Sequence, residues 1–173
     1  AGGMTSTLVQ PLSVGTPVDY HLFAEGQSDY VIVVGEKASE SERWAAEELQ
    51  KALTELGKVT LPIVTPAEAA DKPVVTVGWN TRTASLLSDA ESQPDRMDES
   101  FRYQNVGADV VIYGGSQRGT MYGVMAFLEN ELGVRFYTPR VTVMPEREAF
   151  SFRLLRFADA PGIRVRNDFY KEA

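Results

Sequence analysis

The sequence contains no cysteine, which removes disulfide frameworks, thiolate metal sites and cysteine nucleophiles from consideration. It contains a single histidine, His21, so a Ser-His-Asp triad would have to use that residue, and zinc sites built on several imidazoles are excluded. His21 stands in a strand-like stretch, Asp19-Tyr20-His21-Leu22-Phe23, where an ordinary structural or surface role competes with a catalytic one. Positive charge is in deficit: 17 Lys and Arg against 24 Asp and Glu leave a net charge of −7. Such a surface repels phosphate backbones, so no nucleic-acid partner is expected. No apolar run approaches the roughly 20 residues of a membrane span. No basic-then-apolar leader opens the chain, which is compatible with a mature form of an exported protein.

What remains is ordinary globular material. The 173 residues are 43% hydrophobic and 24% charged, which suits one domain with a self-sufficient core. Residues 1–19 are rich in Gly, Ser, Thr and Pro and read as a flexible arm, with a short edge strand about residues 7–9. The β-branched run Tyr30-Val31-Ile32-Val33-Val34, ended by Gly35, suits a strand covered on both faces. Further strands are expected at residues 61–65, 74–77, 101–106, 109–113, 134–138, 141–144 and 150–157, with a tight hairpin at Gly107-Ala108. Residues 66–71 and 80–87 read as short helices, the second capped by Asn80, and residues 88–99 as an exposed loop.

Two longer helices differ in character. In residues 39–56, Ser39 and Glu42 have capping-box spacing, and Gly57 supplies a stop. Ala45, Leu49, Ala52, Leu53 and Leu56 share one face of it, and charged residues take the other. The helix at residues 120–132, stopped by Gly133, lacks a polar side. Met121, Val124, Met125, Leu128 and Leu132 read as its inward stripe, with Gly123, Ala126, Phe127 and Asn130 opposite. Either this domain's own loops cover that second face, or Gly123 and Ala126 let another domain approach while Tyr122 and Phe127 anchor it. The second reading predicts an exposed apolar patch at Tyr122, Gly123, Ala126 and Phe127.

Strand, glycine turn and helix meet at Gly114-Gly115-Ser116-Gln117-Arg118-Gly119. Backbone N–H groups there would suit an anion, reinforced by Arg118, and the alternative is a tight connection capped by Ser116 or Thr120. Neither a phosphate loop nor a dinucleotide fingerprint fits the spacing, so no nucleotide cofactor is expected. Trp79, between Gly78 and Asn80, is a candidate to stack on a sugar or to pack at the rim of the core.

The block from Gly114 to Pro139, with Glu131, Gly133, Val134, Arg135, Phe136, Tyr137 and Pro139 in its second half, resembles the N-terminal domain of α-glucuronidase-type glycoside hydrolases. That domain is similar to the one preceding the barrel in β-N-acetylhexosaminidases. Tyr30 to Gly35, followed by Ala45-Ala46-Glu47-Glu48-Leu49, looks like the same family's opening. The resemblance implies an α+β two-layer sandwich, with a mixed, largely antiparallel sheet and two main helices on one face. It implies a sandwich over residues 20–157, and at 158–173 a linker leading into the first strand of a following (β/α)₈ barrel. A barrel needs about 250 residues and does not fit within this chain. The resemblance places the catalytic carboxylates in the barrel, so none is assigned here. Asn167, Asp168 and Tyr170 would approach a sugar only with the barrel present. The expected partners are that barrel and an oligosaccharide or polysaccharide, without cofactor or metal, in an extracytoplasmic setting. The rival reading is a small-ligand or glycan-binding module using the turn at residues 114–119.

Overall fold

The apolar run at residues 30–34 is buried throughout. In the computed structural model, which describes residues 19–136 and 142–159, it forms β2 (Val31–Val34), and all four side chains are buried. Alternate residues serve opposite faces. Ile32 and Val34 join the larger core cluster, Val31 and Val33 a smaller one on the other side.

Parallel neighbours flank this strand: β3 (Ile63–Val64) on one side and β4 (Val74–Val77) on the other. Next to β4 lies β6 (Asp109–Gly114), also parallel, then β5 (Phe101–Val106), which returns antiparallel through the expected Gly107 hairpin. β10 (Arg156–Asp159) closes the edge, giving the order β10-β5-β6-β4-β2-β3. Two small antiparallel ladders stand outside this sheet, β1 (Tyr20–Ala24) with β9 (Ala149–Phe152) and β7 (Arg135–Phe136) with β8 (Thr142–Val143). The mixed α+β sandwich is thus as expected. Within the main sheet, however, β2–β3, β2–β4 and β4–β6 are parallel and only two ladders are antiparallel. The helical crossovers from β2 to β3 and from β3 to β4 make these three strands parallel, and the hairpin after β5 turns β6 parallel to β4.

Helices α1 (Glu40–Gly57) and α4 (Gly119–Leu132) pack side by side on one face. Short α2 (Pro66–Ala69) and α3 (Thr81–Leu87) cover part of the other, through Ala69 against Val31 and Val33, and Leu87 against Val111 and Tyr113. The capping box of α1 forms as read: the Ser39 hydroxyl accepts from the Glu42 N–H at 3.0 Å, and Glu42 Oε1 accepts from the Ser39 N–H at 3.2 Å. Its inner row, with Leu49, Leu53 and Leu56 fully buried, contributes about 1.5–3 kcal/mol per leucine. The stop differs from expectation. Gly57 is still helical, and the left-handed residue is Lys58 at φ 57°. Gly57 is needed because a Cβ would lie 2.6 Å from the Phe23 ring.

The burial of α4 corrects the sequence reading. Gly123 and Phe127 face the sheet, and Ala126, Val124, Leu128 and Leu132 are buried as well, whereas Met121, Tyr122 and Met125 are half-buried, the first two at the edge of the same core. The expected exposed patch of Tyr122, Gly123, Ala126 and Phe127 therefore does not exist as such. Phe127 stands edge-on to Tyr103, ring centroids 5.3 Å apart, and to Phe150 at 6.3 Å. Gly123 permits a close approach, but to this domain's own sheet: a Cβ there would meet Ile112 at 3.0 Å and Phe101 at 3.3 Å. A helix apolar nearly all round gives periodicity little to discriminate between its faces.

Residues 150–157 form parts of two strands in different sheets, and Ala158 and Asp159 still pair, with Arg102 and Phe101, beyond the expected boundary. The arm through residue 18, the edge strand at residues 7–9, Tyr137, Thr138, Pro139, and residues 160–173 with Asn167, Asp168 and Tyr170 lie outside the described residues. Among the described residues, no helix is long and apolar enough to cross a membrane.

Candidate functional site

Because β2, β4 and β6 run parallel, their carboxyl ends open on the same side of the molecule. From β2 the chain leaves into α1 on one face, and from β4 into α3 on the other. Diverging exits from neighbouring parallel strands leave a crevice between them, the position at which open α/β sheets hold ligands. Here it is a cleft of about 630 Å³, within the range of small-molecule sites. Gly35, Glu36 and Lys37 border it after β2, and Trp79, Asn80 and Thr81 after β4. Arg96 and Ser116 contribute from the loop before β5 and the glycine turn.

Glu42 ties the three strand exits together and is only 5% exposed. Its Oε1 accepts from the Ser39 N–H, and its Oε2 accepts from the Thr120 hydroxyl at 3.0 Å. Gly78, at φ 90°, passes so close that a Cβ would sit 2.5 Å from Oε2. Burial raises the Glu42 carboxyl above the usual range, against the downward pull of the hydrogen bonds from Ser39 and Thr120. Next to it, the Ser39 hydroxyl donates to the Ser116 carbonyl at 2.6 Å, joining the start of α1 to the glycine turn.

The turn at residues 114–119 is a packing device. Gly114 N–H donates to Thr120 Oγ1, Gly115 N–H to the Asp98 carbonyl at 3.1 Å, and Gln117 N–H to the Arg96 carbonyl at 3.0 Å. Three of its amides, those of Gly114, Gly115 and Gln117, thus already have protein acceptors, which leaves the turn fewer donors for an anion or ligand than its sequence offers. A Cβ on Gly114 would lie 2.4 Å from the Ser100 carbonyl oxygen, and one on Gly119 2.6 Å from the same atom. The expected caps do not form: Arg118 occupies the N-cap of α4 without a side-chain bond, and Thr120 reaches Gly114 and Glu42 instead.

Of the sequence candidates, Trp79 reaches the cleft and Arg118 does not. Trp79 is half-buried, edge-on to Tyr113 at 5.4 Å, so it packs at the rim and borders the cleft at once. Arg118 is exposed, 3.5 Å from Glu99. The cations at the cleft are Lys37 and Arg96, and Arg96 Nη1 donates to Gln117 Oε1 at 3.0 Å. His21 is exposed on β1. Glu42 and Arg96 were not singled out as site residues. The capping-box spacing of Glu42 was legible, but its burial beneath Gly78 depends on strand order. Arg96 sits in a loop without period.

Neither a protein-family model nor a curated protein sequence matches this chain. Solved structures do share its fold. One is a GH115 4-O-methyl-α-glucuronidase with specificity for decorated arabinogalactans, matched over 79% of this chain and 18% of its own, with TM-score 0.52 and 14% identity. Another is the GH20 β-N-acetylhexosaminidase from Streptomyces coelicolor A3(2), over 85% of this chain and 24% of its own, with TM-score 0.51 and 15% identity. The chain spans less than a quarter of either protein. At such identities the likeness is one of fold, and the fold implied by the sequence resemblance is the one found within glycoside hydrolases.

Proposed function

We propose that this chain is a non-catalytic accessory domain of a carbohydrate-degrading glycoside hydrolase, seated against a following (β/α)₈ barrel that it supports. The observation that carries the reading is the shared fold, which takes up most of this chain and a small fraction of two much larger glycoside hydrolases. With Gly123, Ala126 and Phe127 buried, the docking face is the outer side of α4, where Met121, Tyr122 and Met125 are half-buried and apolar. Trp44, 45% exposed on α1, adds a large apolar side chain on the same helical layer. A barrel laid over these helices would remove them from water, as two packed layers require.

The test begins with the coding sequence beyond Ala173. Several hundred codons of alternating β/α pattern are expected, whereas an immediate stop would sink the reading. In the intact polypeptide, Met125→Glu places a charge in the proposed contact. It should lower the melting temperature of the barrel while leaving that of the separate 173-residue chain nearly unchanged. An equal fall in both would place Met125 in the domain's own stability and refute docking there.

A further inference from the structure

We infer that the cleft at the carboxyl ends of β2, β4 and β6 is a binding site for a neutral, hydroxyl-rich ligand of the size of a pyranose mono- or disaccharide. Its position follows from topology, since the loops after β2 and β4 leave on opposite faces and, among the described residues, no strand or helix fills the gap between them. Its chemistry is mixed rather than polarised. Lys37 and Arg96 bring two positive charges to the lining, Glu36 and Glu42 two acidic groups. Neither an anion nor a cation therefore meets a field of one sign. Two of the turn amides, those of Gly115 and Gln117, already donate to the Asp98 and Arg96 carbonyls.

Hydroxyl groups suit such a wall, because each both donates and accepts. Lys37 and Thr81 are exposed at the rim and able to meet them, one as a charged donor and one as a hydroxyl. Trp79 supplies an apolar ring surface beside these polar groups, the combination of apolar wall and few placed polar groups that fixes a small ligand. The site lies at the strand ends and not on the outer side of α4, so it stands independently of docking on a barrel.

The 173-residue chain, labelled with ¹⁵N, would be titrated with xylobiose, N,N′-diacetylchitobiose and glucuronate at millimolar concentration. The expected result is that at least one neutral disaccharide shifts the amides of Gly35, Asn80 and Thr81. In a Trp44→Phe background the same sugar changes the fluorescence of Trp79, then the sole tryptophan. Ala67→Trp, an exposed change at the cleft wall, should abolish the amide shifts without altering the melting temperature. Lys37→Ala should weaken it about tenfold, the loss of one hydrogen bond from a charged group. Three outcomes overturn the inference: no shift with either neutral sugar, tighter binding of glucuronate than of both, or shifts confined to residues outside the cleft. A failed titration leaves docking on a barrel untouched, and a failed docking test leaves the titration untouched.

Discussion

Gly115→Ala should be among the most destabilising single-methyl additions in this chain, and the reason is contact rather than backbone freedom. Gly115 does not adopt a positive φ. A Cβ placed on it would lie 2.2 Å from the Asp98 carbonyl oxygen, 2.6 Å from that of Asp95 and 2.8 Å from that of Arg96. All three are main-chain atoms, so no side chain can swing aside and the 95–98 segment must retreat. Retreat loosens the bonds from Gly115 N–H to Asp98 and from Gln117 N–H to Arg96. Each such bond contributes about 0.5–1.5 kcal/mol, and overpacking adds about 1–3 kcal/mol. Less conformational freedom in the unfolded chain returns about 0.4–1 kcal/mol. The net cost should be about 3 kcal/mol, a fall of roughly 6–12 °C in melting temperature for a domain of this size. Gly107→Ala is the control: a Cβ there meets nothing within 4 Å, but φ is +61°. It should cost only the left-handed strain, about 1 kcal/mol. Urea unfolding followed by circular dichroism measures both. A cost below that of Gly107→Ala would refute the claim that the glycine-rich turn exists to let the 95–100 segment close over it.

Glu42→Gln should be tolerated at neutral pH, because the Thr120 hydroxyl can turn its hydrogen to the Gly114 carbonyl and accept from the new amide. Burial raises the Glu42 carboxyl above its ordinary value, so the native state holds the proton longer than the unfolded one. The resulting stability is present below the unfolded value of 4.5 and is lost as pH rises through the folded one. The variant should therefore gain on the wild type as pH rises above 4.5 in parallel urea titrations; a gap moving the other way would overturn the assignment. Tyr103→Phe removes a buried hydroxyl that donates to Glu131 Oε2 at 2.6 Å and accepts from Asn130 at 3.2 Å. It should cost about 1–3 kcal/mol by thermal denaturation. In alkaline titration followed by ultraviolet absorbance, Tyr30 and Tyr113, both pushed up to about 12 chiefly by burial, and Tyr103, raised further, should stay protonated past pH 10. The stability they contribute is present below their unfolded value of 10.0 and is lost as pH rises through the folded ones, so ionisation of all tyrosines in one step near 10 would contradict their burial.

The parts of the fold that were legible in sequence are those where local chemistry leaves few choices. Val74–Val77 and Phe101–Val106 are legible to the residue, because a β-branched run between Pro73 and Gly78, and an alternating run ended by Gly107, each have a single sensible extent. Ser39 and Glu42 announced the start of α1 because a capping box satisfies two donors reciprocally. The parts that were not legible are decided by neighbours far along the chain. Phe127 is turned inward by Tyr103 and Phe150, and Gly57 is required by Phe23; no window of a dozen residues contains any of these three pairs.

The cleft follows the same logic. Each of its loops was visible as a strand end, yet a site exists only because β2 stands between β3 and β4. That order sends the two exits apart, and order within a sheet is a long-range property. Glu42 shows what the sequence nonetheless encodes. A residue chosen locally to close a helix cap is also a buried group touching α1, the Gly78 exit and Thr120 of the glycine turn. Three separate strand ends are thereby held in one geometry by a single carboxyl group. Its replacement by alanine should loosen the cleft as well as the cap, so that cleft amides lose hydrogen-exchange protection before those of the strand centres do.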